Sequence, residues 1–291
     1  MQKLLITGAS GFLGWHLCEL TKKKWDVYGT YFSHYLEIPG IKLMKVDLTD
    51  FAELKRVFQE IQPSAVIHTA ALSQPNYCQT HQEESHSINV TASLNIAGLC
   101  ADNSIPCVFT STDLVFDGVK GSYKETDSVN PVNIYGEHKV MAEVGMLARY
   151  PQSAICRMPL MFGNATPTAT SFLQSFIKTL REGKELKLFT DEFRTPVDGK
   201  TAAEGLLLAL EKVEGIIHLG GKERISRYDF GGLLVDIFGI PAAKIQASQQ
   251  KDVKMAAERP SDVSLDSSKA FTLGYAPLSL REQLISVSSE Q

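Results

Sequence analysis

Lys3-Leu4-Leu5-Ile6-Thr7-Gly8-Ala9-Ser10-Gly11-Phe12-Leu13-Gly14 reads as a short apolar strand that runs straight into a glycine-rich turn and a helix. The three glycines have separate roles. Gly8 permits the tight turn, Gly11 lets the backbone approach a pyrophosphate, and Gly14 lets the helix lie close on the strand. The helix start then offers free N–H groups and a positive dipole end to a bound dianion. The spacing is GxxGxxG, and its surroundings complete a β-α-β unit: an apolar helix stripe at Phe12, Leu13, Leu17 and Leu20, then a second strand from Trp25 to Thr30. This is the pattern of a dinucleotide-binding turn, with Ser10, Phe12 and Leu13 beside the glycines at the phosphates.

Working outward, strand-like and helix-like segments keep alternating. Ile41 to Val46, Ala65 to His68, Cys107 to Thr110 and Ala154 to Met158 read as strands, separated by helical patterns over Phe51 to Ile61, Ile88 to Cys100 and Val132 to Arg149. Short apolar strands with helical crossovers imply a parallel sheet covered on both faces. The expected fold is α/β, a doubly wound parallel sheet with a smaller C-terminal lobe. Regularity fails at Phe162 to Thr168, a Gly/Pro/Thr loop, and one more strand is expected within Gly215 to Gly221. Residues 1–160, completed by about 197–221, are therefore assigned to the dinucleotide-binding domain. The substrate lobe is assigned to 161–196 and 222–291, with turns at Pro241 and Arg259-Pro260 and a frayed polar end at Ser288 to Gln291.

Composition narrows the function classes. With 291 residues, 44% hydrophobic content and a net charge of -4, the chain can bury a large core and carries no basic field for nucleic acid. No apolar run is long enough to span a bilayer, so no membrane partner is expected. Cys18, Cys78, Cys100, Cys107 and Cys156 show no CxxC pair and no metal-ligand spacing. Buried free thiols, a reduced cytoplasmic setting and no metal are the expectations. His16, His218, Trp15 and Trp25 are read as packing residues.

Tyr135-Gly136-Glu137-His138-Lys139 places a phenol and an ammonium four positions apart at the start of a helix, so both project from one face. A phenol donates a proton to a carbonyl oxygen, and a nearby ammonium stabilises the phenolate left behind. Ser111-Thr112-Asp113 directly follows a central strand, at the carboxyl end of the sheet where α/β ligand sites lie. A hydroxyl there can hold a substrate carbonyl.

A cofactor turn, a Ser/Thr after a central strand and YxxxK on the next helix, in that order, resemble the short-chain dehydrogenase/reductase superfamily, in its extended branch acting on nucleotide sugars. Asp47-Leu48 is similar to that family's adenine-contacting pair, His68-Thr69-Ala70-Ala71 to its cofactor-side loop and Asn89 to its helix asparagine. Ser111 to Gly118, Arg157 to Gly163 and Arg259 to Asp266 resemble segments of the dTDP-4-dehydrorhamnose reductases. The resemblance implies catalytic roles for Thr112, Tyr135 and Lys139, with Lys139 also at the nicotinamide ribose and Met158 on the cofactor side. It implies substrate contacts from Thr112, Asp113, Leu160 and Arg194. Leu114 and Met158 to Leu160 depart from the reductase pattern, which has an aromatic after STD and a tryptophan in the later segment.

At the end of the second strand, Thr30-Tyr31-Phe32-Ser33-His34 offers no carboxylate against a ribose 2′-phosphate. Tyr31, Ser33 and His34 are assigned to the cofactor, which is expected to be NADPH, with NADH second. The expected reaction is hydride transfer to a keto-deoxysugar nucleotide, with Tyr135 as general acid. Two readings stand beside it: a non-catalytic regulatory relative such as the beta subunit of methionine adenosyltransferase, and a nucleotide-sugar epimerase. The expected partners are a small nucleotide-sugar substrate and a second copy of the chain in a homodimer.

Overall fold

The computed structural model describes residues 1–166, 168–240 and 244–290. Pro167 of the expected loop, the expected turn at Pro241 and the terminal Gln291 lie outside the described residues. Strands β1 (Lys3–Thr7), β2 (Asp26–Tyr31), β3 (Lys42–Lys45), β4 (Ala65–His68), β5 (Cys107–Thr112) and β6 (Ala154–Met158) alternate with helices, except that β2 runs to β3 without one. Then come the short β7 (Met161–Phe162), β8 (Glu185–Phe189), β9 (Phe193–Arg194), β10 (Val197–Asp198), β11 (Gly215–His218), β12 (Ile225–Ser226) and β13 (Lys244–Ser248). Seven strands form one sheet in the order β11-β6-β5-β4-β1-β2-β3. Every neighbouring pair is parallel.

Alternation along each strand separates two cores. Leu4, Ile6, Ile67, Val108 and Cys156 face the Phe12–Thr21 and Gly199–Lys212 helices. Leu5, Val66, Phe109 and Ile155 face the Phe51–Ile61, Ala92–Asp102 and Ile134–Arg149 helices on the other side. Successive strand side chains point to opposite faces, so a fully apolar strand has to be covered twice. A third cluster, including Phe162, Leu173, Ile177, Phe230, Leu234 and Leu284, builds the lobe around the parallel pair β8 and β13. The sheet edge at β11 is closed by side chains: Glu125 accepts from the His218 N–H at 3.0 Å, and Lys269 donates to the Ile216 carbonyl at 2.7 Å. Capping these groups blunts an edge that would otherwise pair with another chain.

The chain runs β1 to β3 in one direction and then crosses to β4 on the far side of β1. Ligands of such sheets bind at the carboxyl ends of the strands beside this reversal. One stretch differs from the sequence expectation. The helix expected from Ile88 is preceded by Pro75–Thr80 and Gln82–His86 helices and by a π-turn at Ser87–Thr91. Helical periodicity does not register one inserted residue, and this insertion centres on Asn89. No helix of the described residues is long and apolar enough to cross a membrane. All five cysteines are buried and unbridged.

Candidate active site

The phosphate side of the site is a close approach of backbone to backbone. A Cβ on Gly14 would lie 2.2 Å from the Gly8 carbonyl oxygen and 2.8 Å from the Ala9 Cα, so only glycine allows the helix this near the turn. Gly11 caps that helix without a side-chain bond, and its first turn carries no acid. The end therefore keeps its orphan N–H donors and its positive field. Ala9 N donates to the Thr30 carbonyl at 2.8 Å, and Thr69 Oγ1 donates to the Thr7 carbonyl at 2.7 Å, which ties the turn to β2 and to the loop after β4. Thr168 Oγ1 reaches the Ser10 carbonyl at 2.7 Å from the lobe.

Tyr31, Ser33, His34, Asp47, Leu48 and Thr69 to Ala71 all stand at or just past the carboxyl ends of β2, β3 and β4. Ser33 Oγ and His34 Nδ1 are 2.8 Å apart, with Phe32 and Tyr35 exposed beside them. Asp47 accepts from Thr49 at its amide and hydroxyl, 2.9 and 2.6 Å. Leu13 is buried, so it can meet a cofactor only through its backbone. Asn89 is fully buried, its amide holding both polar groups of the Leu72 backbone at 3.0 Å and reaching Ser85 Oγ at 3.2 Å. It shapes the loop after β4.

The reactive side is built by β5 and the Ile134–Arg149 helix. Asn133 caps that helix by accepting from the Gly136 N–H at 3.0 Å. A Cβ on Gly136 would sit 2.2 Å from the Leu114 carbonyl, so this glycine lets the helix start press on the loop after β5. Tyr135 is thereby set against Thr112. Burial raises the Tyr135 phenol above its usual value, Cys78 and Asp113 add to that rise, and the Thr112 hydroxyl opposes it. Lys139 is buried as well, with Nζ donating to the Thr110 carbonyl at 2.9 Å and lying 4.4 Å from the centroid of the Phe109 ring. Burial pushes its ammonium down to about 7, against the pull of Glu143 and then Cys78.

Phe12, Thr112, Asp113, Tyr135, Met158, Leu160 and Arg194 line one cleft of about 620 Å³, between the sheet and the lobe. All seven are residues that the sequence itself points to. The same cleft also holds Lys187, Glu192, Arg227 and Arg259. Asp113 is buried 3.5 Å from Arg194 Nε, an ion pair too long for a hydrogen bond. Its carboxyl is pushed up to about 6, burial outweighing the guanidinium. Arg227, half-buried against the faces of Phe172 and Phe176, has a buried Nη1 with no hydrogen-bond partner among the described residues. Burial pushes its guanidinium down to about 10. No motif marks Arg227; only the folding of the lobe reveals it.

Below the reactive groups lies a charged network that the sequence reading did not assemble. Glu143 takes Arg157 Nη2 at 2.8 Å and Nε at 3.0 Å, and accepts from Ser111 Oγ at 2.5 Å. Arg157 also faces the Phe116 ring and His218, whose imidazole is pushed down to about 3 by burial and then by Arg157. The signal in the sequence was the position of Glu143, one turn beyond Lys139.

The family model described as RmlD substrate binding domain matches residues 1–290. A curated relative from Haloferax volcanii, "Probable low-salt glycan biosynthesis reductase Agl14", is 30% identical over 98% of this chain and 96% of its own length. "Methionine adenosyltransferase 2 subunit beta" from Danio rerio is 27% identical over 94% of this chain and 86% of its own length. Among solved structures, a hypothetical dTDP-4-dehydrorhamnose reductase from Sulfolobus tokodaii is 36% identical with a TM-score of 0.84, covering 94% of both chains. A dTDP-4-dehydrorhamnose reductase from Bacillus anthracis, solved in complex with NADP, shares the fold with a TM-score of 0.89 at 22% identity, covering 100% of both chains. The chain belongs to the RmlD substrate binding domain family, on the short-chain dehydrogenase/reductase fold.

Proposed function

We propose that the protein is an NADPH-dependent reductase of a keto-deoxysugar nucleotide, resembling dTDP-4-dehydrorhamnose reductase, with Tyr135 as general acid. The observation that carries this reading is one cleft holding Tyr135 and Thr112 together with Arg194, Arg227 and Arg259. Four cationic side chains, Lys187 and these three arginines, face two carboxylates, Asp113 and Glu192, which suits a diphosphate. The buried, unbonded Nη1 of Arg227 is a donor in want of an anionic oxygen.

The residues at the strand ends fit a dinucleotide, because the uncapped, acid-free helix start beside Gly14 accepts a pyrophosphate. The β2 end favours the 2′-phosphate form, since no carboxylate stands between Thr30 and Tyr35. When bound, the reduced nicotinamide supplies a hydride. Thr112 holds and orients the carbonyl, and Tyr135 gives its phenolic proton to the oxygen as negative charge develops there. Lys139 stabilises the phenolate that remains. The sheet domain thus carries the cofactor, and the lobe, with Arg227 and Arg259, selects the substrate. NADPH oxidation with a dTDP-4-keto-6-deoxysugar tests the reading, and its loss in Tyr135→Phe assigns the proton.

The methionine adenosyltransferase relatives favour a second reading, in which the chain binds the dinucleotide and serves as a regulatory subunit. Cofactor binding without turnover on any keto sugar, with capture of a methionine adenosyltransferase catalytic subunit, would select it.

A further inference from the structure

Lys139 has been given its role by its place beside Tyr135, yet it sits where an ammonium is hard to keep. It is 1% exposed, and the face of the Phe109 ring and one neutral carbonyl are weak replacements for the water it has lost. We propose that Glu143 is a positioning residue that keeps Lys139 charged, and that Arg157 and Ser111 hold the Glu143 carboxylate in place to do so.

Three observations support this. Glu143 is four residues after Lys139 on one helix, so the two share a buried face one turn apart. No hydrogen bond joins them among the described residues, so the carboxylate acts through space. Its oxygens are committed elsewhere, to Ser111 Oγ from β5 and to Arg157 from β6, which fixes the carboxylate relative to the helix. Finally, an ion pair buried to 3% and 4% exposure is a poor stabiliser, because desolvation offsets the attraction and an apolar pair of the same volume does as well. Such a pair is better explained by what it does to a neighbour.

The groups around Lys139 show why Glu143 matters. On its own helix stand Tyr135 and Glu143. His68 faces it from β4, buried and pushed down to about 3 by burial and then by Lys139 itself, so it adds no countercharge. Cys78, from the Pro75–Thr80 helix, opposes the loss of charge less than Glu143 does. Arg157, from β6, is ion-paired to Glu143 at 2.8 Å. Of the two ionisable groups that favour the ammonium, Glu143 does so more strongly than Cys78.

This inference rests on the reductase reading for its meaning but not for its test. The full-length protein, carrying ¹³C,¹⁵N-lysine, is titrated by NMR, with the Lys139 signal identified by its loss in Lys139→Arg. In Glu143→Gln the Lys139 midpoint is expected to fall by about one pH unit, the effect of losing a nearby opposite charge. In Glu143→Asp, which draws the carboxylate back, it falls less. An unmoved midpoint in a folded variant overturns the proposal, and if Glu143→Gln does not fold, Glu143→Asp decides alone. The alkaline limb of kcat should move with the midpoint, whereas a merely structural role lowers activity equally at every pH. A moved midpoint in a protein that reduces no keto sugar keeps this proposal and removes the reductase reading.

Discussion

Lys139 Nζ donates to the Thr110 carbonyl at 2.9 Å, tying the helix that carries Tyr135 to the strand that ends in Thr112. The same contact buries an ammonium. Its folded pKa of about 7 lies below the roughly 10.4 of an unfolded chain. Between these values the unfolded state binds more protons, so the group makes stability rise with pH, and the full penalty is felt below about pH 7. Lys139→Met should therefore stabilise the cofactor-free protein by on the order of a few kcal/mol near pH 6.5, at about 1.4 per pKa unit. The gain should fade toward pH 10. Urea unfolding of both proteins across that range checks it; a gain independent of pH contradicts it.

Acid should unfold the protein through histidines kept neutral inside it. Burial pushes His68 and His218 down to about 3 and His16 to about 4. An unfolded imidazole protonates near 6.5, so as pH falls below that value each costs up to about 1.4 kcal/mol per pH unit. Asp113, pushed up to about 6, works in the opposite direction by one proton. Stability measured from pH 7 to 4.5 should drop steeply, and His68→Asn should flatten the slope. An unchanged slope would mean that His68 is not neutral in the fold.

Gly14→Ala should abolish cofactor binding or folding, because its methyl would lie 2.2 Å from the Gly8 carbonyl and no flexible side chain is there to yield. The helix would have to move off the turn that it supports. Titration of NADPH fluorescence against the variant, with its circular dichroism, would detect either failure, and wild-type affinity would refute the close approach.

Arg227→Met should weaken the nucleotide-sugar substrate and spare the cofactor. A charge-assisted bond to a phosphate oxygen contributes about 1.5–3 kcal/mol, so KM for the sugar nucleotide should rise roughly 10- to 100-fold. The dissociation constant for NADPH should hold, since Arg227 stands in the lobe. If both affinities fall together, Arg227 supports the fold and not the diphosphate.

The doubly wound parallel sheet and the cofactor turn were legible because each depends on local pattern: apolar strands, intervening helical periods and glycines where backbones touch; the order of the strands, set by crossovers between distant segments, was not. That Tyr135 meets Thr112 at the end of β5 was legible because motif and strand end coincide. The hold of Asn89 on the Leu72 backbone, across a loop, was not legible, because it joins residues seventeen apart. Arg227 and the Glu143–Arg157 pair depend on packing between segments far apart in the chain, and no spacing rule reaches that far. For Glu143 the helical step from Lys139 was visible, but the guanidinium from β6 that holds it was not.

The most direct test of the account is the rate of NADPH oxidation by the purified protein with dTDP-4-keto-6-deoxy-L-mannose, measured for wild type and Tyr135→Phe. A reductase with Tyr135 as its acid turns over, and the variant loses about 10²- to 10⁴-fold in kcat while binding NADPH as before. Equal rates in the two proteins, or cofactor binding with no oxidation in either, would contradict it.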